Sequence, residues 1–361
     1  MILHLERKFT SPTETFIVNQ INAIDAFDHS VFTIQYLGSL EANAKIYAPL
    51  KMLSFGTKVL RKSHKKYFEN EFHKIVPQLI HGHYLTDAAV FLPFTKNKNI
   101  PKICSAYGYD VSVIPQKIGP FAKSYYKRIF DEYDLILPMT EEMKKDLVEL
   151  GCPENKLHIH YHGIDTKKFE MERDYELSNG VLNLLTIASL LPVKGHMSVL
   201  KALKKLVTDE PNIKIKYHLV GEGSHKQELT HFIESNGLSN LVHFYGPLKH
   251  GPEFNEKLKN ADIFVHPSIT TKQNDKEGIP GAVVEAMASG LPVISTWHGG
   301  IPSVISDGTT GFLVKEHDSH DIADKITMLQ KDMGLRKRIG ENAKKHARKN
   351  LDLLRKQTNW R

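Results

Sequence analysis

The chain has 361 residues, 41% of them hydrophobic and 25% charged, and carries a formal net charge of +7. That length predicts two domains, and that balance is the mixture of an ordinary soluble globular protein. No apolar run approaches the ~20 residues of a membrane span, and no signal peptide precedes the first strand, so a cytosolic protein is expected. Cys104 and Cys152 stand at neither metal nor disulfide spacing and read as reduced thiols. The positive excess is uneven: residues 44–75 hold eight Lys/Arg against two Glu, and residues 331–361 hold eleven against three acids. No nucleic-acid-binding motif accompanies them, which argues against a nucleic-acid partner. They read either as solvated helix faces or as a surface drawn to an anionic membrane.

Residues 1–6 (MILHLE) read as a first strand, followed by a loop and a helix capped near Ser11 or Thr13. Residues 30–36 are a second strand. The basic stretch 45–70, interleaved with aromatic and Leu residues, reads as helix and loop. Residues 79–84 (LIHGHY) begin strand-like, with His81 and His83 on one face. No acid or Cys flanks them at useful spacing, so no metal is expected there. Residues 101–112 run from a strand into a loop. Residues 121–130 alternate basic and aromatic residues at helical spacing, suited to a membrane interface or to a surface helix packed on its aromatic face. A strand at 134–139 precedes a helix capped by Thr140 and stopped by Gly151. The polar run 171–180 (MERDYELSNG) reads as the linker between domains. Beyond it a strand (181–189), a loop (LLPVKGH) and a helix open a strand–helix repeat that continues to residue 314. Such alternation in both halves implies an α/β protein with two doubly wound parallel sheets. Ligands in such folds bind beyond the C-terminal strand ends.

Residues 277–296 (EGIPGAVVEAMASGLPVIST) organise the rest. Gly and Pro before the run VVEAMAS, and Gly290 after it, bracket a small, apolar helix that is expected to be buried. A helix N-terminus offers free N–H groups and a positive dipole end, a site for anions such as phosphate. Glu277 and Glu285 beside such a turn suit a ligand carrying hydroxyls and phosphates together, as a nucleotide sugar does. The pair resembles the EX7E element of the retaining family 4 glycosyltransferases. With ADIFVHPS before it and GGIPSVISDGTTGFLV after it, the whole stretch is similar to that family's C-terminal signature, closest to the branch that builds colanic acid and similar exopolysaccharides.

The resemblance implies a GT-B fold, two Rossmann-like domains facing a cleft. Residues 1–170 would form the acceptor-side domain and 171–340 the nucleotide-sugar domain. Residues 341–361 would form a helix that either crosses back to the first domain or frays. It also implies roles. Glu277 contacts the donor sugar near its reacting end, and Lys194 neutralises the diphosphate, a point charge suited to phosphate. Glu285 accepts from the ribose hydroxyls. The backbone of Gly278, Ile279, Pro280 and Gly281 holds sugar or phosphate oxygens. Gly221 and Gly246 lie close to the nucleotide, and the backbone around Gly246 and Leu248 selects the base. The PTETFI segment resembles the family's SETFI element, which places Thr13 and Glu14 at the cleft, although a simple capping box fits them too. His83 belongs to a similar H-x-H element near the cleft.

Four positions depart from the pattern. Tyr107 stands before Gly108 where His is frequent, and a phenol is a poor base at neutral pH. His162 replaces an Asn, Ser303 replaces a common Glu, and Ser189 replaces the Arg that partners the lysine, leaving Arg7 as a guess for the missing cation. The chain has no Asp-x-Asp, so neither a metal nor another cofactor is expected. The implied activity is retaining transfer of a hexose-type sugar from a UDP- or GDP-linked donor to a surface polysaccharide or lipid-linked glycan, at the cytoplasmic side and with peripheral contact to an anionic membrane. Ser189, Tyr107 and Ser303 motivate an alternative, a non-catalytic GT-B protein that binds nucleotide sugar or glycan and assists a partner enzyme. An epimerase or phosphorylase on the same fold is a third reading, but no pyridoxal phosphate lysine context is found.

Overall fold

In the computed structural model, which describes residues 1–10, 14–49 and 58–358, the chain divides into two units, residues 1–162 and 163–361. The first is built on six strands: β1 (Ile2–Leu5), β2 (His29–Phe32), β3 (Lys45–Tyr47), β4 (Leu79–His83), β5 (Lys102–Ala106) and β6 (Leu135–Pro138). They are parallel throughout, in the order β3-β2-β1-β4-β5-β6. Strands of such a sheet are covered on both faces and so carry continuous buried runs; all four residues of β1 are buried. Leu3, Leu5 and Phe32 pack on one face with Phe68 and Phe91. Val31 packs on the other with Ile17, Val18 and Ile21 of the helix Thr15–Asn22.

The second unit repeats the plan with β7 (Leu182–Ile187), β8 (Ile215–Val220), β9 (Val242–Phe244), β10 (Ile263–His266), β11 (Val293–Thr296) and β12 (Phe312–Val314). Its order, β9-β8-β7-β10-β11-β12, is that of the first sheet with six added to every label. Both are the doubly wound order in which the chain reverses direction across the sheet beside its first strand. Leu184, Leu219, Val265 and Ile294 form the centre of its core with Val199, Leu203, Ile322 and Ile326 from the flanking helices.

Four expectations are corrected. The strand β3 lies where helix and loop were expected; it has three residues with only Tyr47 buried, too short to show an alternating pattern. The expected strand 30–36 is broken after Phe32, and Gln35–Tyr36 pairs instead with Lys8–Phe9 as a separate two-stranded ribbon. Residues 163–170 belong to the second unit rather than the first. The Ile164 N–H donates to Leu351 O (3.0 Å), the Leu353 N–H donates to Ile164 O (2.7 Å), and the Thr166 hydroxyl donates to Asp352 Oδ2 (2.5 Å). The same bonds hold residues 351–353 in the second unit, and the helix before them, Met333–Asn350, runs unbroken through residue 341, so no element begins at 341; a short helix of its own, Leu353–Thr358, follows.

The polar run 171–180 is likewise no free linker. The Arg173 guanidinium donates to the carbonyls of Leu258 (2.7 Å), Ala261 (2.7 Å) and Ser289 (3.3 Å), and Tyr175 Oη donates to Gly290 O (2.9 Å). No helix among the described residues is long and apolar enough to cross a membrane.

Candidate functional site

The helix Gly281–Ala288 forms as its punctuation predicts, with Pro280 as N-cap and Gly290 in the left-handed region (φ +83°). Val283, Val284, Ala286 and Met287 are fully buried. Its far end crosses the helix Met333–Asn350 where Gly290 and Gly340 meet; a Cβ on Gly340 would lie 2.2 Å from Gly290 O. Only glycine permits that approach, and it holds the start of the helix at the C-terminal ends of the strands.

The loop after β7 brings Lys194 to the same place on the one-turn helix Pro192–Lys194. Gly195 follows at φ +69°, and a Cβ there would lie 1.8 Å from Pro267 O, so this loop rests directly on the loop after β10. The result is an ion pair between Lys194 Nζ and Glu277 Oε1, with the two side chains only 19% and 11% exposed. The other Glu277 oxygen accepts from the Ser268 hydroxyl and from His266 Nε2 (3.2 Å). Burial pushes the Glu277 carboxyl up, but the Lys194 charge and the His266 and Lys194 hydrogen bonds outweigh it and hold the group well below the usual carboxylate range. Burial lowers His266 despite the neighbouring carboxylate, so a neutral imidazole donates from Nε2.

The main chain of Glu277 is fixed as firmly. Its N–H donates to His298 Nε2 (3.0 Å), and His298 Nδ1 faces Glu316 Oε1 (2.8 Å). Glu316 also accepts from the Thr270 N–H (2.6 Å) and hydroxyl (3.0 Å). The buried hydroxyls of Ser295 and Thr296 donate to His266 O (2.5 Å) and Ser268 O (2.6 Å). The Gly300 N–H donates to Gly278 O (2.9 Å). His266, Ser268, Thr270, His298 and Glu316 were not singled out from sequence. Each acts across a strand end, and no spacing within the chain signals that.

Glu285, in the first turns of the same helix, faces His250 Nε2 at 3.1 Å. That bond raises the His250 pKa against the effect of its burial. The imidazole is boxed by Phe254 and Phe169, with ring centroids 4.7 and 5.6 Å away. Gly221 has φ +145°, and a Cβ there would sit 1.9 Å from Ala188 O; its N–H donates to Gly246 O (2.8 Å). Gly246 has φ +70° in open space. Leu248 follows on the same loop and is half-buried. Ser189 O accepts from the Leu191 N–H (2.8 Å) and lies 3.1 Å from His196 Nε2. The Ser303 hydroxyl donates to Gly300 O (2.5 Å), within its own turn. Glu277, Lys194, Glu285, Gly278, Ile279, Pro280, Gly281, Ser189, Gly221, Gly246 and Leu248 thus all belong to one unit, on loops or a helix start beyond its strand ends.

Three other expected residues, Glu14, His83 and Tyr107, belong to the first unit. Thr13 lies outside the described residues. Glu14 is the N-cap of the helix Thr15–Asn22 but makes no side-chain cap bond; its carboxylate interacts with Tyr84. Tyr107 Oη bonds His83 Nδ1 at 2.9 Å, and burial drives the phenol further above its ordinary range, away from any base role. Asp110, missed in the sequence, holds this loop by accepting from the N–H groups of Leu85 (2.9 Å), Tyr107 (3.1 Å) and Gly108 (3.1 Å). Arg7, the guessed substitute cation, is engaged by Asp87: its Nε donates to Oδ1 (2.5 Å) and its N–H to Oδ2 (2.6 Å).

The chain matches two family models, Glycosyl transferases group 1 over residues 167–346 and Glycosyltransferase Family 4 over residues 13–168. It is 33% identical over 220 residues to the putative colanic acid biosynthesis glycosyltransferase WcaL of Salmonella typhimurium, a match covering 61% of this chain and 53% of that protein. It is also 33% identical over 201 residues to the amylovoran biosynthesis glycosyltransferase AmsK of Erwinia amylovora, covering 56% and 48%. The matches span about half the length of these relatives. Among solved structures, Anabaena HepE in complex with UDP and glucose superposes with a TM-score of 0.80 at 16% identity, covering 99% of this chain and 97% of that one. Sucrose-phosphate synthase from Thermosynechococcus elongatus gives 0.78 at 17% identity, covering 99% and 96%. The fold is GT-B.

Proposed function

Since the chain belongs to the family 4 glycosyltransferases, we propose that it is a retaining enzyme that moves a hexose-type sugar from a nucleoside diphosphate donor to a surface polysaccharide or lipid-linked glycan. The observation that carries this reading is the pair Glu277 and Glu285 bracketing the start of one buried helix, with Lys194 drawn onto Glu277. Breaking the bond between the sugar and the diphosphate leaves negative charge on the leaving oxygen. Lys194 is the cation at hand, and the N-terminus of the helix Gly281–Ala288 adds N–H donors and a positive dipole end. Glu277, kept ionised by its surroundings, accepts from the donor sugar near its reacting carbon. Glu285 accepts from the ribose hydroxyls in place of His250. No metal at the leaving phosphate is needed with this set of groups.

The UDP bound to HepE favours a UDP-linked donor over a GDP-linked one. WcaL and AmsK, by name exopolysaccharide enzymes, favour a bacterial-type glycan acceptor. The basic helices Lys58–Lys74 and Met333–Asn350 suit peripheral contact with an anionic membrane at its cytoplasmic face.

The test is release of nucleoside diphosphate from a panel of UDP-, GDP-, ADP- and dTDP-sugars in EDTA, with a membrane extract supplying acceptor and Glu277→Ala run alongside. Turnover of one donor, absent in the variant, is expected. Binding of one donor without turnover in the presence of acceptor overturns the reading in favour of a binding protein.

A further inference from the structure

Four histidines share one face of the first sheet. In the parallel register His4 on β1 lies opposite His81 on β4, and Ile2, two residues before His4, lies opposite His29 on β2. His83 is two residues beyond His81. Side chains two apart on a strand point the same way, so the register alone gathers the rings. His4, His81 and His83 are 1%, 4% and 0% exposed.

Their hydrogen bonds form a chain whose direction one group fixes. His29 Nε2 lies 2.8 Å from the Ile24 carbonyl, which can only accept. His29 therefore donates from Nε2 and accepts at Nδ1, where His4 Nε2 lies 2.9 Å away. His4 in turn accepts at Nδ1 from His83 Nε2 at 3.0 Å, and His83 Nδ1 accepts from Tyr107 Oη. Burial holds the His4, His81 and His83 imidazoles neutral, the form a metal ion requires.

We propose that His4, His81 and His83 form a binding site for a divalent transition-metal ion of the zinc class. One ring nitrogen from each of the three lies within 4.8 Å of the others. Metal–nitrogen bonds of about 2.0–2.1 Å in tetrahedral geometry need separations of roughly 3.4 Å, so the widest pair closes by at most about 1.4 Å, while His4 Nδ1 and His83 Nε2, at 3.0 Å, open slightly. The outer nitrogens already have the partners that orient metal-binding histidines: His4 Nε2 has His29, His83 Nδ1 has Tyr107 Oη, and His81 Nε2 has Ser105 Oγ at 2.9 Å. That leaves His4 Nδ1, His83 Nε2 and His81 Nδ1 for the ion. Three imidazoles select zinc, cobalt, nickel or copper over magnesium or calcium.

Protons balance within the chain. His83 moves its proton from Nε2 to Nδ1 and keeps it there, the Tyr107 oxygen then accepts a hydrogen bond from that N–H, and the Tyr107 hydroxyl hydrogen turns away from His83. Loading therefore reverses the hydrogen-bond direction at Tyr107 without releasing a proton. The site belongs to the first unit and is distinct from the Glu277 and Lys194 chemistry of the second.

The full chain, expressed with cobalt in the growth medium, is washed with EDTA, and its metal content and visible spectrum are recorded. One cobalt per chain is expected, with the intense visible bands of a tetrahedral ion and, by X-ray absorption, a sulfur-free shell that includes three imidazoles, the fourth position being filled by solvent. Both signals should be lost in His81→Gln and His83→Gln. The X-ray absorption shell of the wild-type protein stands even if those variants fail to fold. No retained cobalt, or bands that persist in both folded variants, overturns the proposal and leaves the cluster as a hydrogen-bonded chain only.

Discussion

The main-chain N–H of Glu277 donates to Nε2 of His298 at 3.0 Å, and the opposite ring nitrogen faces Glu316 at 2.8 Å. The accepting nitrogen must be bare, so His298 carries its proton on Nδ1 and directs it at the carboxylate. A carboxylate after β12 thereby sets where the backbone of Glu277 sits.

His298→Ala removes this acceptor without touching the Glu277 side chain. Loss of about 10–100-fold in kcat is expected, as for other positioning partners, with a smaller change in donor KM. His298→Gln keeps an acceptor and should recover part of the loss. Steady-state release of nucleoside diphosphate measures both, and equal rates in His298→Ala and wild type would remove the positioning role.

Glu277→Gln preserves shape and deletes charge. The kcat should fall about 10²–10³-fold, the cost of losing one preorganised electrostatic group. Free nucleoside diphosphate should bind as tightly as before or tighter, because Lys194 is released from its ion pair. Calorimetry decides, and weaker binding would mean that Lys194 is not the phosphate's partner.

Two glycines separate strain from steric conflict. Gly195 and Gly246 both have φ near +70°, but a Cβ meets Pro267 O at 1.8 Å in the first and nothing within 4 Å in the second. Gly246→Ala should cost about 1–2 kcal/mol of backbone strain. Gly195→Ala should cost more and uncouple Lys194 from Glu277, so thermal unfolding and activity should fall together only there. Gly340→Ala, with a Cβ at 2.2 Å from Gly290 O, should lower stability by about 1–3 kcal/mol, read as melting temperature.

The raised His250 pKa gives a pH signature. Its bond to Glu285 contributes fully below about pH 6.5, the ordinary imidazole value, and is lost as pH rises past the folded value. The melting-temperature gap between wild type and His250→Ala should be widest in mild acid and close as pH rises past the raised folded value. Donor binding should strengthen over the same rise, as Glu285 is freed for the ribose. A gap independent of pH would show that Phe169 and Phe254 packing, rather than charge, accounts for it.

What was legible in the sequence was local. Glu277 and Glu285 lie on one short string punctuated by Gly and Pro, and Lys194 on another, and both strings fold as their punctuation predicts. The strand–helix alternation likewise carried both sheets. What was illegible depends on register and on side-chain bonds to distant carbonyls. His4 stands beside His81 only because β1 pairs with β4 in that register. Arg173 and Tyr175 bond to backbone carbonyls more than eighty residues away, so their segment shows no periodicity and reads as a linker. His298 and Glu316 sit in loops, where spacing carries no signal at all.

The tie between Thr166 and Asp352 means that the second unit begins and ends at one spot. A chain closed in this way is topologically a loop, and its natural ends are only one of several places where it can be opened. Joining residue 353 to residue 163 by a short peptide and reopening at an exposed surface turn should give a permuted domain with the same two termini problem solved elsewhere.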